Sequence, residues 1–197
     1  MSLKVLLVED EGAQALALRQ ALEGLGHQVL AVASEGRQAC RLCRELAPEL
    51  VLMDIGLPGM DGLEAARVMN LERPLPVVLV TGQASRRFQE RARQALVYSY
   101  LLKPVEAKVL GEAMELAVRN FAQERELKRQ VTDLRQELRA RKLVERARGL
   151  LMDRHRLSAE EAQVRLEREA EVRGLDLPAA AQALLTAGPT PPTARPR

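Results

Sequence analysis

Within its first 120 residues this chain alternates, five times over, between a short apolar run and a stretch with helical spacing. The apolar runs are LKVLLV (3–8), QVLAVA (28–33), LVLMD (50–54), PVVLVT (76–81) and YSYLL (98–102). Between and after them lie helical patterns at 13–25, 36–47, 63–70, 85–96 and 105–120. The first carries Leu16, Leu18, Leu22 and Leu25 and is stopped by Gly26; the second ends before Pro48. Near-continuous apolar strands are buried on both faces, and connections a dozen residues long cannot be hairpins. The pattern predicts an α/β fold: a doubly wound, five-stranded parallel sheet with helices on both faces.

After Asn120 the strands stop, and FAQERELKRQVTDLRQELRARK is charged and helical. Leu127, Val131, Leu134 and Leu138 recur at spacings of four, three and four, the seam of a coiled coil. The next seam positions, Arg141 and Glu145, are polar, so the seam is short, and it fits either a dimer contact or a stripe packed on its own domain. The helix continues over 143–157. Ser158, with Glu161 three residues on, forms a capping-box pattern for a second helix that Gly174 ends. Asp176 and Pro178 open a third over 175–187, and GPTPPTARPR reads as a disordered tail. The expected division is 1–120, a helical coiled-coil linker at 121–140, a small three-helix all-α domain at 141–187, and a tail at 188–197.

No apolar run approaches the roughly 18 residues a membrane helix needs, and no signal-peptide pattern opens the chain. The expectation is a soluble, cytoplasmic protein with no membrane partner. Cys40 and Cys43 form a CxxC within a helical pattern, with no second pair and with His27 and His155 distant in sequence. They read as two thiols on a helix in a reducing compartment. A net charge of +3 permits a nucleic-acid partner without requiring one.

In a parallel sheet, functional groups gather at the carboxyl ends of the strands. Here the first strand ends in Glu9, Asp10 and Glu11, the third in Asp54 and the fourth in Thr81, while the fifth runs into Lys103-Pro104. Any one of these is an ordinary loop residue; all of them on one rim are a site. Glu9, Asp10 and Asp54 repel one another, which a hard divalent cation relieves, so Mg²⁺ is the expected metal. Asp54, in the centre, is the natural nucleophile toward a phosphoryl donor. Mg²⁺ and Lys103 would neutralise the transferring oxygens, and Thr81 would hydrogen-bond the acyl phosphate. The Lys103-Pro104 bond is a candidate cis peptide, which would turn Lys103 back into the pocket.

The segments VLLVEDE, LVLMDIGLPGMDG, VVLVTG and YLLKP resemble the motifs of the receiver domain of two-component response regulators, over about residues 1 to 120. The resemblance implies a flavodoxin-like fold and a sensor histidine kinase as phosphodonor. It makes Asp54 the phospho-acceptor, and Glu9, Asp10 and Asp54 the metal ligands together with the Gly56 carbonyl. Thr81 and Tyr100 become the switch pair and Lys103 the lysine of the pattern. No enzyme activity is implied beyond the domain's own phosphorylation and dephosphorylation. Where family members often carry a small, glycine-containing stretch before the switch aromatic, this chain has LVYSY (96–100).

For the output end, a DNA-binding helix-turn-helix is the common alternative. It needs a recognition helix that tolerates phosphates, yet EEAQVRLEREAEV sets Glu160, Glu161, Glu167, Glu169 and Glu171 against Arg165 and Arg168. ARKLVERARGLLMDRHRLSAEEA, followed by Leu166, Ala170 and AAAQALL, instead resembles the ANTAR domain over about residues 135 to 187. That resemblance implies a dimer that binds paired RNA hairpins in a leader transcript and prevents transcription termination. Arg141, Lys142, Arg148, Arg165 and Arg168 are the candidate RNA contacts, since Arg planes stack on unpaired bases and cations follow phosphates. Gln163 stands where relatives often carry Tyr or Phe, and Glu167 and Glu171 bring carboxylates to the second helix. A second reading therefore stays open: a protein-interaction module driven by the receiver.

Overall fold

Residues 2–82 and 97–187 are described by a computed structural model of the chain. The strands are β1 (Lys4–Val8), β2 (Gln28–Ala33), β3 (Leu50–Asp54), β4 (Val77–Thr81) and β5 (Ser99–Leu102). They form one parallel sheet in the order β2-β1-β3-β4-β5, so β2 and β5 are its edges. Between them run α1 (Gly12–Gly24), α2 (Gly36–Leu46) and α3 (Gly62–Glu72). The helix expected at 85–96 and the tail at 188–197 lie outside the described residues.

Period-two alternation sorts the strand side chains into two cores. Leu6, Val8, Val51, Met53, Val77 and Leu79 join Ala39, Cys40, Ala66 and Met69 of α2 and α3 on one face. Val5, Leu7, Leu50, Leu52, Val78 and Val80 join Leu18 and Leu22 of α1 and Leu110 and Met114 of the following helix on the other. Both faces of β3 and β4 are buried, which is why their sequences are apolar up to their last residues, Asp54 and Thr81. Cys40 and Cys43 are 5% and 4% exposed on the inner face of α2, and burial pushes both thiols above their usual pKa. They are packed small apolar side chains, and both are free.

The last three helices are α4 (Ala107–His155), α5 (Ala159–Arg173) and α6 (Leu177–Ala187). The patterns at 105–120, 121–142 and 143–157 are thus one continuous helix of 49 residues. It begins at Ala107 rather than Val105, after a cis Lys103-Pro104 bond. The chain divides into two compact units between Glu126 and Leu127. In the second unit Ala147 and Leu151 of α4 pack with Ala162, Leu166 and Ala170 of α5 and with Ala180, Ala181 and Leu184 of α6. The capping box is formed: the Glu161 N–H donates to Ser158 Oγ at 3.2 Å, and the Ser158 N–H donates to Glu161 Oε2 at 2.7 Å. Gly174 ends α5 in the left-handed region (φ +62°), and Asp176 caps α6 by accepting from the Ala179 N–H at 2.8 Å. Among the described residues no helix is long and apolar enough to cross a membrane.

Candidate functional site

The acidic pocket sits at the carboxyl ends of β1, β3, β4 and β5. Glu9 follows β1 directly and is 2% exposed, whereas Asp10 is exposed to solvent. Asp54 is the last residue of β3, the central strand, and is 9% exposed. Glu9, Asp10 and Asp54 each place a carboxylate oxygen within 4.8 Å of the others. Lys103 reaches this cluster from the end of β5: its Nζ donates to Asp54 Oδ2 at 2.6 Å and to Glu9 Oε2 at 2.9 Å. The Gly56 N–H donates to Asp54 Oδ1 at 3.2 Å.

The electrostatics follow from this packing. Burial pushes the Glu9 carboxyl above its ordinary pKa, the Lys103 hydrogen bond opposes that, and the Asp54 charge adds to it. For Lys103 burial acts downward, but the Asp54 and Glu9 carboxylates outweigh it and hold the ammonium above its ordinary value. The lysine is a fixed cation between two acids. A hard oxygen-binding ion fits the same cluster: three carboxylates converge, and exposed Asp10 leaves a side open for retained waters.

Thr81 ends β4 and is 6% exposed. Its carbonyl accepts from the Lys103 N–H at 2.9 Å, so the hydroxyl-bearing strand and the lysine-bearing strand are tied at the pocket's edge. Tyr100 lies opposite Leu79 on β5 and is 39% exposed. The loop after β3 is held by a close approach the sequence did not announce. A side chain on Gly62 would place its Cβ 2.2 Å from the Asp54 carbonyl oxygen, so α3 can begin against the Asp54 backbone only with glycine there. Asp61 caps that helix, accepting from the Glu64 N–H at 2.8 Å.

The chain matches the response regulator receiver domain over residues 5–115 and the ANTAR domain over residues 132–185. The chain belongs to the response regulators that join these two domains. A transcriptional regulatory protein of Mycobacterium tuberculosis, PdtaR, is 35% identical over 188 residues, 95% of this chain and 92% of that protein. The transcriptional regulatory protein AfsQ1 of Streptomyces coelicolor is 32% identical over 120 residues, covering 61% of this chain and 53% of that protein. Among solved structures, the signal receiver domain of a modulated diguanylate cyclase from Desulfovibrio desulfuricans is 34% identical, with a TM-score of 0.59 over 63% of this chain and 99% of that one.

In this response regulator's second unit the candidate RNA contacts differ in exposure. Arg141, Lys142 and Arg168 are exposed, and Arg165 is partly buried. Arg148 is 28% exposed and donates to Glu145 at 3.2 Å; its Nε is buried without a protein partner. Three of the five acids of α5 are engaged along their own helix or its cap. Gln163 donates to Glu167 at 2.7 Å, Arg173 donates to Glu169 at 2.8 Å, and Glu161 serves the capping box. Two departures from the family pattern, Gln163 and Glu167, are therefore one hydrogen-bonded pair. Sequence reading missed Tyr98, whose hydroxyl reaches Glu124, 26 residues away.

Proposed function

We propose that the chain is a phosphorylation-controlled regulator whose output module binds RNA hairpins in a leader transcript and so prevents transcription termination. The observation that carries the receiver half is the Lys103 ammonium bound to both Asp54 and Glu9. In this reading residues 1–120 receive the signal, 121–140 link, 141–187 form the output module and 188–197 a tail. Asp54 attacks the phosphorus of a phosphohistidine on a sensor kinase. The new bond is an acyl phosphate, the bond that breaks is phosphorus to imidazole nitrogen, and the imidazole leaves. Lys103 holds a transferring oxygen, the Thr81 hydroxyl donates to another, and Tyr100 follows Thr81. Glu9, Asp10, Asp54 and the Gly56 carbonyl would hold Mg²⁺, which when bound neutralises phosphoryl oxygens. Asp54→Asn is expected to abolish labelling by a small phosphodonor; unchanged labelling would sink the assignment.

On the output side, Arg141, Lys142, Arg148, Arg165 and Arg168 contact RNA, and the Arg173–Glu169 ion pair supports that reading by offsetting one of the negative charges of α5. The seam Leu127, Val131, Leu134 and Leu138 is at least 46% exposed at every position, which supports a homodimer that covers it. The test is selection from randomised two-hairpin RNAs with and without beryllofluoride and Mg²⁺. Enrichment of a defined loop that weakens steeply with salt is the expected result. One observation favours a second reading, a protein-interaction module: Val164, Val172 and Leu175 of the α5 region are 63%, 78% and 41% exposed. Absence of RNA enrichment in a phosphorylatable protein would favour it. Tight binding to duplex DNA would instead favour a DNA-binding regulator.

A further inference from the structure

Tyr98 takes no part in the acidic pocket. It immediately precedes β5, and its N–H donates to the Val77 carbonyl at 3.3 Å, extending the β4–β5 ladder by one residue. Its ring is packed against the core shared by α1, α4 and the sheet. Its hydroxyl donates to Glu124 Oε2 at 2.7 Å, and its ring meets Phe121 edge to face, with centroids 5.6 Å apart and planes at 84°. The Arg125 guanidinium lies 5.7 Å from the Phe121 centroid. Burial and the Glu124 carboxylate push the phenol well above its usual pKa, so it remains a donor across the physiological range.

The position of this clasp on α4 gives it consequence. Phe121 and Glu124 are partly buried, whereas every residue from Arg125 to Arg139 is exposed. Tyr98 therefore grips the last turn of α4 before its exposed stretch, and Leu127, the first seam residue, follows directly. At its other end β5 delivers Lys103 to Asp54 and Glu9. The strand is four residues long and sits at the sheet edge, hydrogen-bonded on one side only. A strand this short is about 13 Å from end to end, so a shift at Lys103 reaches Tyr98 with little slack. A hydrogen bond of 2.7 Å is lost once its groups part by about 1 Å.

We propose that Tyr98 is a positioning residue that couples the Asp54 pocket to the coiled-coil segment: it holds α4 at Glu124 in the unphosphorylated protein and releases it when Lys103 re-partners with a phosphoryl group. This rests on the reading of Asp54 as phospho-acceptor. The test is amide hydrogen exchange on the full chain, comparing wild type, Tyr98→Phe and Glu124→Gln, each with and without beryllofluoride and Mg²⁺. Tyr98→Phe keeps the ring on Phe121 and removes only the hydroxyl. Without activation, exchange over 119–126 should rise about ten-fold in Tyr98→Phe, as losing one charge-assisted hydrogen bond implies. Glu124→Gln, whose amide oxygen still accepts, should lie between. Beryllofluoride should raise exchange over 119–126 in wild type and add nothing further in Tyr98→Phe, while peptides around Asp54 respond equally in both. Wild-type exchange in unactivated Tyr98→Phe would overturn the tether. An undiminished beryllofluoride response over 119–126 in that variant would overturn the coupling. No response around Asp54 in any protein would overturn the phospho-acceptor reading and the coupling with it, leaving the tether to stand or fall on the unactivated comparison.

Discussion

Lys103 is faced by two buried carboxylates, Glu9 and Asp54. Replacing it by methionine strips both of their cation, and the cost should be on the order of 1–3 kcal/mol, below the figure for a fully buried pair because the lysine is 20% exposed. Mg²⁺ should recover part of that loss, which urea titrations with and without the ion would read. Gly62→Ala acts on the same site from the backbone side. Its Cβ cannot sit 2.2 Å from the Asp54 carbonyl, so α3 or the end of β3 must move, at about 1–3 kcal/mol, again measurable by urea unfolding. His27 supplies a pH signature. Its Nδ1 accepts from the Leu3 N–H at 3.3 Å, and burial lowers its pKa from the ordinary 6.5, with Glu115 opposing. The unfolded chain then binds the proton first, so stability is full above 6.5 and is lost as pH falls through 6.5 toward the folded value. His27→Asn should flatten that slope; an identical pH profile in wild type and variant would refute the assignment.

Among elements, β3 and β4 were the most legible, because burial on both faces demands uninterrupted apolar runs and little else does so in five residues. The caps at Ser158 and Asp176 were legible for a related reason: their chemistry is completed within three residues. The pocket was readable because sheet topology alone brings Glu9, Asp54, Thr81 and Lys103 to one rim. What could not be read depends on distant partners. Gly62 against Asp54 and Tyr98 against Glu124 leave no local spacing to detect. The unbroken length of α4 was only half legible, since its exposed middle is specified by helix propensity and i,i+4 pairs such as Arg129–Asp133 rather than by an apolar face. Gly149 breaks propensity inside α4, and nothing lies within 4 Å of where its Cβ would be. Gly149→Ala should therefore raise stability by about 1 kcal/mol in thermal unfolding. Ser158→Ala should lower it by about 1 kcal/mol through loss of the capping box.

At the scale of the whole molecule, the exposed seam of α4 is the feature that one chain leaves unfinished. Leu134→Lys with Leu138→Lys would set like charges across a paired seam, and sedimentation is expected to give a dimer for wild type and a monomer for the variant. A dimer that survives the double substitution would place the interface elsewhere. The phosphorylation proposed for Asp54 should be unaffected in the same variant, because Glu9, Asp54, Thr81 and Lys103 lie at the ends of β1, β3, β4 and β5 and not on the seam. The two sulfhydryls on the inner face of α2 bear on how such motions can be watched. Buried, protonated and without a disulfide, Cys40 and Cys43 are poor targets for maleimides and methanethiosulfonates. A cysteine introduced at an exposed position such as Gln130 or Arg154 would be alkylated far faster than either. The native protein thus offers a quiet background for spin or dye labels, and its conformational changes can be followed by electron paramagnetic resonance or energy transfer with both natural thiols left in place.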